Sequence, residues 1–486
     1  MDMKRQVGFP HVALAVMAAT GAMTSLSATW TLGRPFSDGC VLQCGRPVPV
    51  WGRSAVGDAV SVDFAGQVKR AVSDAQGRWR VTLDPLTATE RPQTLTVASQ
   101  AGGASLSVND VLVGEVWLCS GQSNMAMALV HPELTRYRDG IGAMTAQTVD
   151  EPSVRYLDAP GAGGWRALTH GFLKTEPTSA LAVHYALELR ARLHVPIGVI
   201  VAAVGGSNID DWQTGGPLDR MKLAEVCPYA LRGALWYQGE TNLYLGETDA
   251  YRAKLRRLYD GWRARFENPS FRFDLVQLAP FARGTYRLKD GTVFDYDAAF
   301  PRFLQAQAAF ADGEPNATLT VINDLGAVHD IHPNEKARVA KRLALHALRR
   351  DYGRTWIEDQ SPRPAAVTAE GDRLTVSFSH AKSLYVYQRF AAFRAQDVPF
   401  ELAGADGAYR PAAIVNWANL PGGMREGLIT NAFIVLRAPG LAAPQKVRYA
   451  WKYPWTGCVY NEVNLPLGTF EASRHQPKHH NEEQAK

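Results

Sequence analysis

Four short segments hold residue types that could carry out acyl chemistry. The first is Ser120-Gly121-Gln122-Ser123-Asn124-Met125. A serine on a tight turn after an apolar run exposes its hydroxyl, and the following backbone N–H groups can hold an oxyanion. The segment is not a Gly-x-Ser-x-Gly elbow, because Asn124-Met125 follows the second serine. A helix-capping serine would look the same. The second segment, Val204-Gly205-Gly206-Ser207-Asn208, has paired glycines. Such a pair lets backbone approach a ligand closely, and it also makes ordinary turns. The third is Trp236-Tyr237-Gln238-Gly239-Glu240-Thr241-Asn242. Side-chain amides there are neutral donors for a developing oxyanion. The fourth runs from Asn323 to Asn334 and contains Asp330 and His332. A loop imidazole can act as a base while a nearby carboxylate orients its ring. His329 with His332 could instead bind a metal, but no third ligand has an obvious sequence partner. Taken singly, the polar residues of this loop suit a helix cap equally well.

The first three segments each follow an apolar, strand-like run, at 110–119, 197–204 and 231–237. Further strands are expected at 273–278 and 319–322, and helices at 179–193, 248–266 and 335–350. Alternation of this kind predicts an α/β region with a parallel sheet and right-handed crossovers. Open parallel sheets place ligands at the carboxyl ends of their strands, which is where these segments fall. Residues 30–110 read differently, with short strands at 48–51, 60–64 and 78–83 separated by turns. From about 362 the chain is again β-like, most clearly at 373–378 and 446–451.

With 486 residues the chain is too long for one compact core. An apolar fraction of 46% and a charged fraction of 20% exclude a wholly disordered chain. The net charge, 52 − 47 = +5, is too dilute to suggest a nucleic-acid partner. The N-terminus pairs Lys4 and Arg5 with an apolar stretch at 12–23 and the small residues Ser27 and Ala28. This predicts a secretory signal, since a membrane-spanning helix needs roughly 20 apolar residues. A periplasmic or secreted protein without a membrane span follows. Five cysteines are too few for a disulfide scaffold and lack zinc-ribbon spacing. The expected division is a signal at 1–28, an N-terminal β domain at 29–110, a catalytic α/β domain at 111–355, a C-terminal β domain at 356–472 and a polar, disordered tail at 473–486.

The blocks Gly114–Met125, Gly205–Trp212, Trp236–Asn242 and Asp330–Lys336, in that order, resemble the sialate O-acetylesterases, which are SGNH-type hydrolases. Residues 35–43 look like that family's opening strand, and 447–451 with 459–466 like its closing β segment. The resemblance therefore covers most of 30–470. It implies an SGNH-hydrolase-like parallel-sheet catalytic domain flanked by N- and C-terminal β-sandwich-like segments. It places the nucleophile on Ser123 rather than Ser120, and the base on His332. It places the oxyanion donors on the N–H groups of Ser123 and Gly206 and on an amide, Gln238 in preference to Asn242. The family's supporting carboxylate stands three residues before the histidine, where this chain has His329. Asp330, Asp324 or a Ser–His dyad are the open choices.

The implied activity is metal-independent and cofactor-free removal of O-acetyl groups from a carbohydrate, foremost a sialic acid. Acetylated xylan or another polysaccharide is the alternative substrate, and a non-catalytic glycan-binding protein is the alternative class. Retention of the serine, histidine and amide blocks argues against the latter.

Overall fold

The computed structural model describes residues 30–100, 103, 105–130, 141–387, 398–416, 418–419, 426–429 and 431–474. The expected signal at 1–28 lies outside the described residues, as does the tail beyond Arg474.

The central element is a 17-residue strand, β1 (Ser105–Gly121). Its first part pairs antiparallel with Thr89–Ser99, and its middle pairs parallel with Val41–Gln43. Its last part is the middle of a parallel array with β2 (Glu151–Asp158), β3 (Ile197–Ala203), β4 (Gly233–Tyr237), β5 (Arg272–Val276) and β6 (Ala317–Thr320). The spatial order is β2-β3-β1-β4-β5-β6, with the antiparallel strand Arg166–Leu168 outside β2. Strands β4, β5 and β6 are buried at every position, as expected for a parallel sheet covered on both faces. This also explains their largely apolar sequences. The expected division near 110 falls inside β1, so one strand serves both regions. The apolar core is likewise continuous, running from Phe36 and Val50 through Trp117 to Leu343.

Helices follow the strands. Helix α1 (Ser123–Ala126) directly follows β1, and α2 (Ala180–Leu193) precedes β3. Helix α3 (Glu240–Tyr244) and the amphipathic α4 (Thr248–Arg265) follow β4. Helix α5 (Tyr296–Asp312) precedes β6, and α6 (Lys336–Arg350) follows it. Ser179 caps α2 by accepting from the Ala182 N–H, and Asp295 caps α5 through Ala298. Helix α2 packs on α6, and α4 packs on α5.

Among the described residues the C-terminal region forms a seven-stranded and a four-stranded sheet. Its apolar core, including Leu374, Leu436, Val447 and Val459, is separate from the first. It meets the α/β region at the loop after β6. There the Gly457 N–H donates to Asn323 O at 3.0 Å, and Asn323 Nδ2 donates to Leu467 O at 3.0 Å. Trp455, although C-terminal in sequence, packs in the α/β core. The C-terminal region thus braces the loop that carries His332. All five cysteines are free thiols. No described helix is long and apolar enough to cross a membrane.

Candidate active site

Gly121 ends β1 at φ 141°, where any side chain would collide with the Tyr237 carbonyl. The Gln122 N–H bonds that same carbonyl at 3.0 Å, so the chain turns sharply into α1. Ser123 is the first residue of the helix. Ser120, three residues earlier and still within the strand, is fully buried, and its hydroxyl has no hydrogen-bond partner among the described residues. Geometry therefore separates the two serines that composition alone could not.

His332 comes from the loop between β6 and α6. Its Nε2 lies 2.9 Å from the Ser123 Oγ, a hydrogen-bonding distance for proton transfer from serine to imidazole. Asp330 Oδ1 accepts the His332 backbone N–H at 2.9 Å, and the Asp330 N–H returns to Ala327 O at 2.8 Å. Asp330 therefore shapes the turn that presents the imidazole. Asp324 is committed elsewhere. Arg342 grips both its oxygens at 2.7 Å, and Tyr460 reaches it at 3.4 Å. His329 points away from Ser123 toward the C-terminal region, with its Nε2 3.3 Å from the Tyr453 hydroxyl. Among the described residues no group of three or more His, Cys, Asp or Glu is arranged to hold a metal ion.

Gly205 lies against Ser123, since a Cβ there would sit 3.7 Å from the Ser123 Cβ. Gly206 follows at φ 71°, with open space around it. The backbone N–H groups of Ser123 and Gly206 find no acceptor among the described residues. They can therefore both serve an incoming oxyanion.

The two amides occupy different positions. Gln238 is fully buried, and its Nε2 donates to Ser207 O at 3.0 Å and to Asn242 Oδ1 at 2.6 Å. Asn242 is also fully buried, and its Nδ2 donates to Asn208 Oδ1 at 3.0 Å and Glu247 Oε2 at 2.6 Å. Each amide nitrogen has only two hydrogens, so both are used in bonds within the protein. Both amides fasten the loop that carries Gly206.

Sequence reading did not single out a buried chain of polar groups beneath Ser123. Asn124 Nδ2 donates to Glu240 Oε1 at 2.6 Å and to Ile331 O at 3.0 Å. Lys336 Nζ donates to Asn124 Oδ1 at 2.6 Å and lies 5.3 Å from the centre of the Tyr237 ring. This ties the serine turn to the residue before His332. Burial pushes the Glu240 carboxyl up, and it pushes the Lys336 ammonium down to about 7 against the pull of Glu240, Glu335 and Asp330. Asn124, Glu240 and Lys336 all lie in the sequence blocks quoted above. The signal was therefore present, but burial of charge is not visible in a sequence.

Residues 113–302 match the family described as carbohydrate esterase, sialic acid-specific acetylesterase. The human sialate O-acetylesterase is 26% identical over 70% of this chain and 74% of its own length. The rat sialate O-acetylesterase is 24% identical over 87% of this chain and 90% of its own. The crystal structure of a carbohydrate acetylesterase from Xanthomonas citri superimposes with a TM-score of 0.76. It has 29% identity and covers 91% of this chain and 99% of that one. The chain is thus a carboxylic ester hydrolase, and its residues 113–302 are similar to the sialic acid-specific acetylesterase family of carbohydrate esterases.

Proposed function

We propose that the protein is an exported serine esterase that removes O-acetyl groups from carbohydrate through an acetyl-serine intermediate, on an SGNH-type parallel-sheet domain flanked by β-sandwich-like regions. The observation that carries this reading is the 2.9 Å contact between Ser123 Oγ and His332 Nε2. His332 takes the hydroxyl proton as Ser123 Oγ attacks the acetyl carbonyl. The oxyanion is received by the N–H groups of Ser123 and Gly206, with Gln238 and Asn242 holding the Gly206 loop. The imidazolium returns its proton to the sugar oxygen as the C–O bond breaks. Water, deprotonated by His332, then attacks the acetyl-enzyme and releases acetate, restoring the serine. Asp330 supports the histidine by fixing its backbone. Every step is assigned to a residue of this chain or to water.

The sialate O-acetylesterases among its relatives favour an O-acetylated sialic acid as substrate. The likeness to the Xanthomonas citri carbohydrate acetylesterase supports acetylated carbohydrates more widely, and an acetylated polysaccharide such as xylan is the second reading. The basic, apolar and small-residue pattern of the first 28 residues supports a periplasmic or secreted location. Acetate release from a panel of O-acetylated sialic acids, acetylated xylo-oligosaccharides and acetylated hexoses tests the reading. Release from at least one glycan is expected. Hydrolysis of a chromogenic acetate with none from any glycan would leave a generic esterase.

A further inference from the structure

A cavity of about 450 Å³ opens at the carboxyl ends of β2 and β3. It borders the nucleophile's turn on two sides. Ala126, on its wall, belongs to the same short helix as Ser123. Ala203, also on its wall, is two residues before Gly205, the glycine that lies against Ser123. None of the groups assigned to bond making lines it, and its size is within the roughly 300–1,000 Å³ of small-molecule sites. An acetyl group alone would leave most of it empty.

Its lining is mixed in a specific way. Tyr156 and Phe172 form an edge-to-face aromatic pair, with centroids 5.9 Å apart. The Asp158 carboxyl, at the end of β2, is open to solvent in the cavity. Burial of its surroundings pushes it up, and the Lys222 charge pulls it down. Those two groups make no ion pair within 4.0 Å. Lys222 Nζ holds Ala159 O at 2.7 Å, and its other two N–H bonds have no acceptor among the described residues. The Arg166 guanidinium lies over the Phe172 ring, 5.1 Å from its centre, and also lacks a carboxylate partner among the described residues. An acceptor and a donor held apart in one cavity match a hydroxyl group, which both donates and accepts. Aromatic side chains nearby match the C–H faces of a sugar ring. A purely apolar ligand would strand these charges without water.

We infer that this cavity is the subsite for the sugar ring that carries the ester, with Asp158 accepting from ring hydroxyls and Lys222 donating to them. The assignment rests on the reading of Ser123 as the nucleophile. It locates sugar recognition on the β2–β3 side of the serine, apart from the His332 loop.

The test compares two substrates in Asp158→Ala and Lys222→Met. One is an O-acetylated glycan that the wild type deacetylates, and the other is 4-nitrophenyl acetate, which has no sugar. Neither side chain is buried, and an unchanged melting temperature confirms that each variant folds. Loss of a hydrogen bond to a charged group should lower kcat/KM for the glycan by about tenfold to a hundredfold, mainly through KM. The value for 4-nitrophenyl acetate should stay within about twofold of wild type, since the attacking groups are intact. Equal losses on both substrates, or no loss on either, would overturn the subsite. Full activity of Ser123→Ala on both substrates would instead overturn the catalytic reading beneath it.

Discussion

Asn124 Nδ2 and Glu240 Oε1 are 2.6 Å apart, although 116 residues separate them in the chain. The contact joins the turn after β1 to the helix after β4. The same amide reaches Ile331 O, so both ends of the Ser123–His332 pair are tied to one buried group. Asn124→Ala removes that tie and leaves Glu240 and Lys336 buried without their shared partner. Stability should fall by about 1–3 kcal/mol, the cost of an unsatisfied buried polar group. The turnover number should fall more than KM changes, because the variant misplaces groups that react rather than groups that bind. Urea unfolding with steady-state kinetics on a chromogenic acetate measures both. A variant as stable as wild type would show that the network carries no load.

Lys336 makes that network sensitive to pH. Its ammonium is lowered from 10.5 to about 7 by burial. Between those values the unfolded chain binds a proton that the folded chain does not. Stability from this group therefore rises with pH across the window, and the penalty is complete below it. Lys336→Met loses the titration. The melting temperature of wild type relative to Lys336→Met should rise as the pH is raised from 7 toward 10. A difference that stays constant over this range would contradict the buried ammonium.

Asp324 and Arg342 should be structural. Their side chains are only 1% and 7% exposed, and the bidentate contact joins the β6 loop to α6. Asp324→Ala leaves a buried guanidinium unpaired and should cost about 3–5 kcal/mol. Where the variant is folded, the shape of its pH–rate profile should match wild type. A changed acid limb would instead place Asp324 in support of the histidine.

The amides of the β4 block give a contrasting case. Gln238→Ala frees the Ser207 carbonyl and loosens the Gly206 loop. Stability and turnover should fall together, the former by about 1–3 kcal/mol. A direct oxyanion donor would behave otherwise, costing about a hundredfold to a thousandfold in turnover with stability unchanged. Thermal melts alongside kcat distinguish the two.

Much of this arrangement is legible in the sequence, and the omissions have physical causes. The parallel strands were readable because burial on both faces forces continuous apolar runs, as in Ile197–Ala203 and Gly233–Tyr237. Helix α2 was readable from its spacing, with Ser179 as its cap. Helix α5 was not, and it carries Pro301 within its span. The expected division at 110 stands where the apolar run 110–119 begins, yet β1 extends well before it. Asp110 sits there at φ 55° with its carboxylate held by Arg155, which local pattern cannot reveal. In the site, Ser123 and His332 came from motif likeness, and their meeting is a tertiary fact. Gln238 and Asn242 read as donors to a ligand because a sequence cannot show that their hydrogens are already used.

The central claim is that Ser123 is acetylated by substrate and freed by His332. The most direct measurement is intact mass after rapid mixing with an activated acetate ester, followed by peptide mapping. In His332→Ala, where both steps are slowed, a reactive ester should still leave one acetyl group on Ser123, and Ser123→Ala should carry none. Acetylation of Ser123→Ala at another residue with wild-type turnover would contradict the account.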